Sequence, residues 1–258
     1  SWLAIGLPIV LGRGLSATRA DASTTPTASV VEPTRTVIAI MARSPSDSGA
    51  IKTRLASVVP DPRVRADLYA AFVADTVRTC RAIGGVALRL AYTPDGGTAG
   101  FDAAGLWPDE LLAQRGDDLG TRERALFEDL FSAGFDRALV IGSDLPTLPS
   151  RVLEEAVASL AAAGDAVIGP SDDGGYCLLG LAAAEPIVVP DLFTGVRWST
   201  PFALADTLSA ARRAGIDLVQ VESWYDVDDA GDLERLRKEL AETPTAAPAT
   251  AAALAKIE

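Results

Sequence analysis

With 258 residues, 48% of them apolar, the chain can bury a core without metals or disulfides as staples. It contains no histidine, which excludes imidazole-based triads, imidazole general bases and the usual zinc or iron ligands, so any metal is held mostly by oxygen, as Mg²⁺ or Mn²⁺ is. A formal net charge of −12 argues against a duplex nucleic-acid partner, which needs a basic face, while small anionic ligands remain possible where Lys and Arg gather.

Residues 1–35 open with an apolar run, Trp2 to Leu11, too short to span a bilayer, and continue in a Ser-, Thr-, Ala- and Pro-rich stretch. They read as a disordered or non-native N-terminal extension, with a signal-peptide remnant as the alternative for the run. The working domain is 36–240, and 241–258, similarly biased, reads as a disordered tail. No membrane association is expected. Cys80 and Cys177 lie in apolar-periodic segments and read as buried free thiols of a reducing compartment, which places the protein in the cytoplasm.

TVIAIMA (36–42) is a continuous apolar run, as expected of a strand buried on both faces. A loop follows, then a helix from about Pro62 to Ile83 with Val64, Leu68 and Phe72 on one stripe. VALRLAY (86–92) alternates as a strand, Thr121 to Ala133 is helical, and RALVIG (137–142) is a buried strand. Ser150 caps a helix to Ala163, closed by Gly164. AVIG (166–169) and YCLLGL (176–181) flank the turn PSDDGG as a hairpin. Thr200-Pro201 reads as an N-cap with proline at the first position of a helix running to Ala214. A strand at 216–222 and a helix at about 230–240 complete the pattern. The alternation predicts an α/β fold, a mostly parallel sheet covered by helices on both faces.

Ligand chemistry is expected where strands end and loops begin. After the first strand, MARSPSDSGAIKTRL carries Arg43, Lys52 and Arg54 among turn formers; it suits a clamp for a di- or triphosphate, or is a solvated basic loop. VIGSDLP sets Gly142 and Asp144 at a strand end, either for a ligand or for an Asx turn. Asp172 and Asp173 sit in the hairpin turn. Asp226 and Asp228 alternate ahead of the last helix, as a metal-ligand pair or as caps. QRGDDLGTRE, with Asp117 and Gly120, leads into a helix whose amides can hold an anion. Ser199 and Thr200 can bind an acceptor phosphate or merely cap a helix.

Taken in order, MARSP…KTRL, GDDLGTR, GSDLPTLP, GPSDDGGYCLLGL, WSTP and DVDDAGDL resemble the bacterial radical-SAM/selenodomain-associated transferases. These are GT-A-like proteins related to 2-phospho-L-lactate guanylyltransferases and other nucleotidyltransferases. The resemblance covers about residues 36–240 and implies a GT-A-like nucleotide-diphospho-sugar transferase fold. It implies metal ligation by Asp144, Asp226 and Asp228, and catalytic roles for Lys52 and Asp144. It further implies nucleotide contacts from Arg43, Lys52, Arg54, Asp117, Gly120 and Gly142, and acceptor contacts from Asp173, Ser199 and Thr200. Arg43 stands where the family usually has lysine. The function expected is metal-dependent transfer of a nucleotide from a nucleoside triphosphate to a small anionic, phosphorylated acceptor, releasing pyrophosphate. An acceptor phosphate is already a nucleophile at neutral pH, which suits a chain without histidine. The alternatives are a glycosyltransferase with a nucleotide-sugar donor and a noncatalytic nucleotide-binding protein.

Overall fold

A computed structural model describes residues 35–98, 101 and 110–257. Seven strands, β1 (Thr36–Arg43), β2 (Val86–Thr93), β3 (Leu111–Ala113), β4 (Arg137–Gly142), β5 (Ala166–Pro170), β6 (Tyr176–Ala182) and β7 (Leu218–Gln220), form one sheet. Their order is β3-β2-β1-β4-β6-β5-β7. Pairing is parallel except at β6, which runs antiparallel to both β4 and β5. The expected mixed, mostly parallel sheet is therefore present.

Helices α1 (Pro62–Arg81), α2 (Leu119–Ser132), α3 (Ser150–Ala158), α4 (Ala203–Ala214), α5 (Ala230–Glu242) and α6 (Pro248–Leu254) cover both faces. Strand β1 shows why its run is apolar throughout. Ile38 and Ile40 pack with Leu68 and Phe72 of α1, Val152 of α3 and Leu236 of α5. Val37 and Ala39 point the other way, into the cluster of Leu126, Phe127 and Leu130 of α2 and Ala211 of α4. Truncating the fully buried Phe72 to alanine would cost about 3–5 kcal/mol. Local capping agrees with the pattern: Asp61 accepts from the Arg63 N–H at 2.8 Å with Pro62 opening α1, and α2 and α5 begin with capping boxes at Asp118 and Asp229.

Four elements differ from expectation. Strand β3 pairs with β2 over three residues, too short for any periodicity to register. Strand β7 is also three residues rather than seven, because the chain bends away to bridge Ser171 through Trp224. Helix α3 stops at Ala158, and Ser150 is its first residue rather than its cap, since Pro149 precedes it and no side chain caps the first turn. Helix α4 starts at Ala203, because the Thr200 hydroxyl donates to the Arg197 carbonyl at 2.7 Å and accepts from the Phe202 N–H, closing a turn before the helix.

The tail expected to be disordered contains α6. Its Ala-rich sequence favours helix, and its first turn is held by another element. Asp75 of α1, only 1% exposed, accepts from the N–H groups of Ala249 and Thr250 at 3.2 and 2.8 Å. Leu254 is buried in the α1-side core. Of the N-terminal extension, residues 1–34 lie outside the described residues; the Arg35 N–H donates to Asp136 at 2.7 Å. Among the described residues no helix is long and apolar enough to cross a membrane.

Candidate active-site cleft

Because β1 and β4 are parallel and β6 is antiparallel, the ends of β1, β4 and β5 and the start of β6 share one rim. Backbone hydrogen bonds hook the segment after β7 onto that rim. The Val227 N–H donates to the Asp144 carbonyl at 3.0 Å, and the Trp224 N–H to the Pro170 carbonyl at 3.0 Å. Asp226 and Asp228, far from Asp144 in sequence, are thereby set beside it. A cleft of about 480 Å³ opens there, lined by residues of the segments after β1, β4, β5 and β7, of the turn before α4 and of the start of α2.

One end of the cleft is paired by charge. The Lys52 ammonium donates to the Asp144 carboxylate and, at 3.2 Å, to Asp228; Arg54 donates to the other Asp228 oxygen at 2.7 Å. The Lys52 side chain is 7% exposed. Burial alone would push this ammonium down, but the carboxylates of Asp144 and Asp228 outweigh it and hold the group above its ordinary value. Lys52 adopts φ 44°, a left-handed conformation that costs a non-glycine residue about 1 kcal/mol or more. Its bonds to two carboxylates compensate for that strain. Behind Asp144, the Tyr69 hydroxyl pairs with the Ser143 hydroxyl at 2.7 Å and accepts from the Arg43 N–H at 3.0 Å, tying α1 to the ends of β1 and β4. A Cβ on Gly142 would meet the Asp144 carboxylate at 3.1 Å, so the glycine leaves room for that side chain.

The other end holds carboxyls with neutral partners. Glu123, on α2 and 6% exposed, accepts from the Tyr176 hydroxyl at 2.6 Å. Burial pushes Glu123 up to about 7, only partly opposed by that hydrogen bond. Tyr176 meets Trp198 edge-on, with ring centroids 6.2 Å apart. The Trp198 indole lies against Gly120, where a Cβ would come within 2.6 Å of the ring. In the hairpin turn, Gly174 has φ 88° and a Cβ there would stand 2.4 Å from the Pro201 carbonyl oxygen, so only glycine lets the 199–202 turn pack on the hairpin. Ser199 in that turn has φ 57°. Between the ends, Asp226 accepts from the Ser171 hydroxyl at 2.9 Å; burial first, and the nearby Asp144 charge second, raise it to about 6.

The structure brings Arg54, Gly142, Asp144, Asp173, Ser199, Thr200, Asp226 and Asp228 to one cleft, with Lys52 bonded into its wall. It does not bring Arg43 there: that guanidinium pairs with Asp47 at 2.9 Å on the exposed loop. Asp117 is exposed and does not line the cleft, and Gly120 serves as a seat for Trp198. Sequence reading passed over Glu123, Tyr69 and Ser171. Glu123 left a signal, an acid on the apolar stripe of α2 three and four residues before Leu126 and Phe127.

The three aspartates expected as metal ligands, Asp144, Asp226 and Asp228, all line the cleft. Among the described residues no group of three or more Asp, Glu, Cys or His side chains has the placement to hold a metal ion. Lys52 engages both Asp144 and Asp228, and Arg54 engages Asp228, while Asp226 accepts from Ser171; Asp144 and Asp226 both face the cleft. Two carboxylates with all-oxygen chemistry fit Mg²⁺, which usually takes one or two protein ligands and fills its shell with water and substrate phosphates.

A family model described as an uncharacterized protein conserved in bacteria (DUF2064) matches residues 76–200. A protein from Desulfovibrio desulfuricans G20, described provisionally as a nucleotide-diphospho-sugar transferase, is 32% identical with a TM-score of 0.76. That match covers 87% of this chain and 95% of the other. CMP:2-keto-3-deoxy-manno-octonic acid synthetase, in complex with CTP, is 15% identical over 81% of this chain and 99% of its own, with a TM-score of 0.52. 4-Diphosphocytidyl-2C-methyl-D-erythritol synthase is 13% identical over 81% of this chain and 100% of its own, also at 0.52. These last two show a shared fold alone. No curated protein matches the chain.

Proposed function

Since the chain belongs to the DUF2064 family of proteins conserved in bacteria, and has the fold of nucleotide-dependent transferases, we propose that it transfers a nucleotidyl group from a nucleoside triphosphate to a small acceptor, releasing pyrophosphate. The observation that carries this reading is the convergence of Lys52 and Arg54, from one loop, on Asp144 and Asp228 at the cleft. Two cations already gathered at a strand-end rim are suited to the charge of a triphosphate.

Asp144 and Asp226 would hold Mg²⁺, whose charge, when bound, offsets that of the phosphates. Lys52 and Arg54 neutralise the leaving pyrophosphate, each contributing about 3–4 kcal/mol where well placed. Asp228 keeps both cations at the rim when no nucleotide is bound. The hydrogen bond from Ser171 and the backbone hook through Val227 fix Asp226 and Asp144 relative to each other. Catalysis then rests on in-line positioning and charge neutralisation.

A second reading, glycosyl transfer from a nucleotide-sugar, is favoured by the description of the 32% identical Desulfovibrio protein. Thermal unfolding against GTP, CTP, UTP, ATP, UDP-glucose and GDP-mannose, each with and without Mg²⁺, separates the two. Nucleotidyl transfer predicts a Mg²⁺-dependent rise with one triphosphate, lost in Lys52→Ala. A rise with nucleotide-sugars alone moves the assignment to glycosyl transfer, and no rise with any ligand sinks both.

A further inference from the structure

Among the described residues, five carboxyl side chains line the cleft, Glu123, Asp144, Asp173, Asp226 and Asp228, against one lining cation, Arg54. Arg54 and Lys52 stand together at the Asp228 end, where the nucleotide phosphates need them. Nearby guanidinium groups are engaged elsewhere. Arg197, next to Trp198, donates to both Asp206 oxygens at 2.7 and 2.9 Å and lies 4.0 Å from the Phe202 ring centroid. Arg235 donates to Asp172 at 2.7 Å. Among the described residues that line the Glu123 end, no cation faces an incoming acceptor.

A phosphate ester brings about −1.5 to −2 charges and three strong acceptor oxygens. Beside Glu123 and Asp173 it would meet carboxyl groups and, among the described lining residues, no cation. The same groups suit hydroxyls. Glu123 and Asp173 offer carboxyl oxygens as acceptors, and the Ser199 hydroxyl can donate or accept. The edge-on Tyr176–Trp198 pair supplies an apolar wall for carbon-bound hydrogens. The wall is rigid, because Trp198 is seated on Gly120 and the Tyr176 hydroxyl is fixed by Glu123.

We propose that the acceptor is an uncharged polyhydroxylated molecule, a sugar or sugar-like polyol without phosphate, bound by Glu123 and Asp173 against the Tyr176–Trp198 wall; one of its hydroxyls forms the new O–P bond as the bond to pyrophosphate breaks, and its proton passes to the Asp173 carboxylate. The proposal rests on the transferase reading above and replaces the anionic acceptor that the sequence resemblance implied.

The test is calorimetric titration of the full chain, with Mg²⁺ and the nucleotide panel, using glucose, mannose, ribose, glycerol and inositol and the monophosphate of each. Glu123→Gln and Asp173→Asn are titrated in parallel; the second alters an exposed side chain and keeps the test valid should the first fail to fold. At least one parent polyol is expected to bind about tenfold or more tightly than its phosphate ester. Each substitution should weaken that binding about tenfold while the nucleotide-induced thermal shift stays unchanged. Tighter binding of the esters, no binding of any polyol, or unaltered polyol affinity in both variants overturns the proposal. Polyol binding without any nucleotide binding upholds the polyol site and fails the transferase reading alone.

Discussion

At one end of the cleft Lys52 is buried between carboxylates; at the other Glu123 is buried against a phenol. Burial opposes charge in both places. Lys52 stays charged because Asp144 and Asp228 more than restore what water would have supplied, whereas Glu123, with only the Tyr176 hydroxyl, is driven toward its neutral form. The same low-polarity setting thus yields a fixed cation at one end and a near-neutral hydrogen-bonding group at the other. The contrast is what sets the proposed phosphate-binding end apart from the proposed hydroxyl-binding end.

The contrast is broken most severely by removing a partner of Lys52. Asp144→Ala leaves a buried ammonium with Asp228 alone, and urea unfolding should show a loss of about 3 kcal/mol together with loss of turnover. A loss below about 1 kcal/mol would mean that Lys52 does not depend on this carboxylate.

At the opposite end the effect is read through pH. The folded value of about 7 for Glu123 lies above its ordinary 4.5, so the folded protein holds this proton more tightly than the unfolded chain. The stability it contributes is full below about pH 4.5 and is lost as pH rises through about 7, by about 3 kcal/mol in total. Asp226, raised to about 6, weakens the fold over an overlapping window, so the measurement is the difference between the parent and Glu123→Gln. Urea midpoints from pH 4 to 8 should fall less steeply in the variant, and identical slopes would show that Glu123 does not titrate as described.

The smallest change in stability comes from Arg54→Ala. Its side chain is 70% exposed, so its bond to Asp228 is screened by water and unfolding should shift by no more than about 0.5 kcal/mol. Nucleotide affinity should nevertheless fall about tenfold, since a cation at the rim is lost. An unchanged affinity would remove Arg54 from the phosphate-binding loop while leaving Lys52 in place.

Strands β1 and β4 and helices α1 and α2 were legible because each carries its own periodicity and stop signals, and so was the PSDDGG hairpin. The motifs also singled out Lys52, Asp144 and Asp228, which the fold brings into contact from three separate segments. Strand β3 was not legible, since three residues hold no period, and neither was α6, whose cap is supplied by Asp75 from another helix. Gly120 illustrates the limit at the site: its neighbours looked like an anion-binding loop, yet an indole from far along the chain occupies the space above it.

By itself, then, the sequence determined the class of fold and the absence of imidazole from any site, because patterning and composition are local properties. Tertiary structure alone decided that Lys52 binds both Asp144 and Asp228, that Arg54 binds Asp228, that Asp226 is held by Ser171, and that Glu123 is buried against Tyr176. Those outcomes depend on which distant backbones are hooked together and on how much water each carboxyl loses. Neither quantity is a property of any single stretch of sequence.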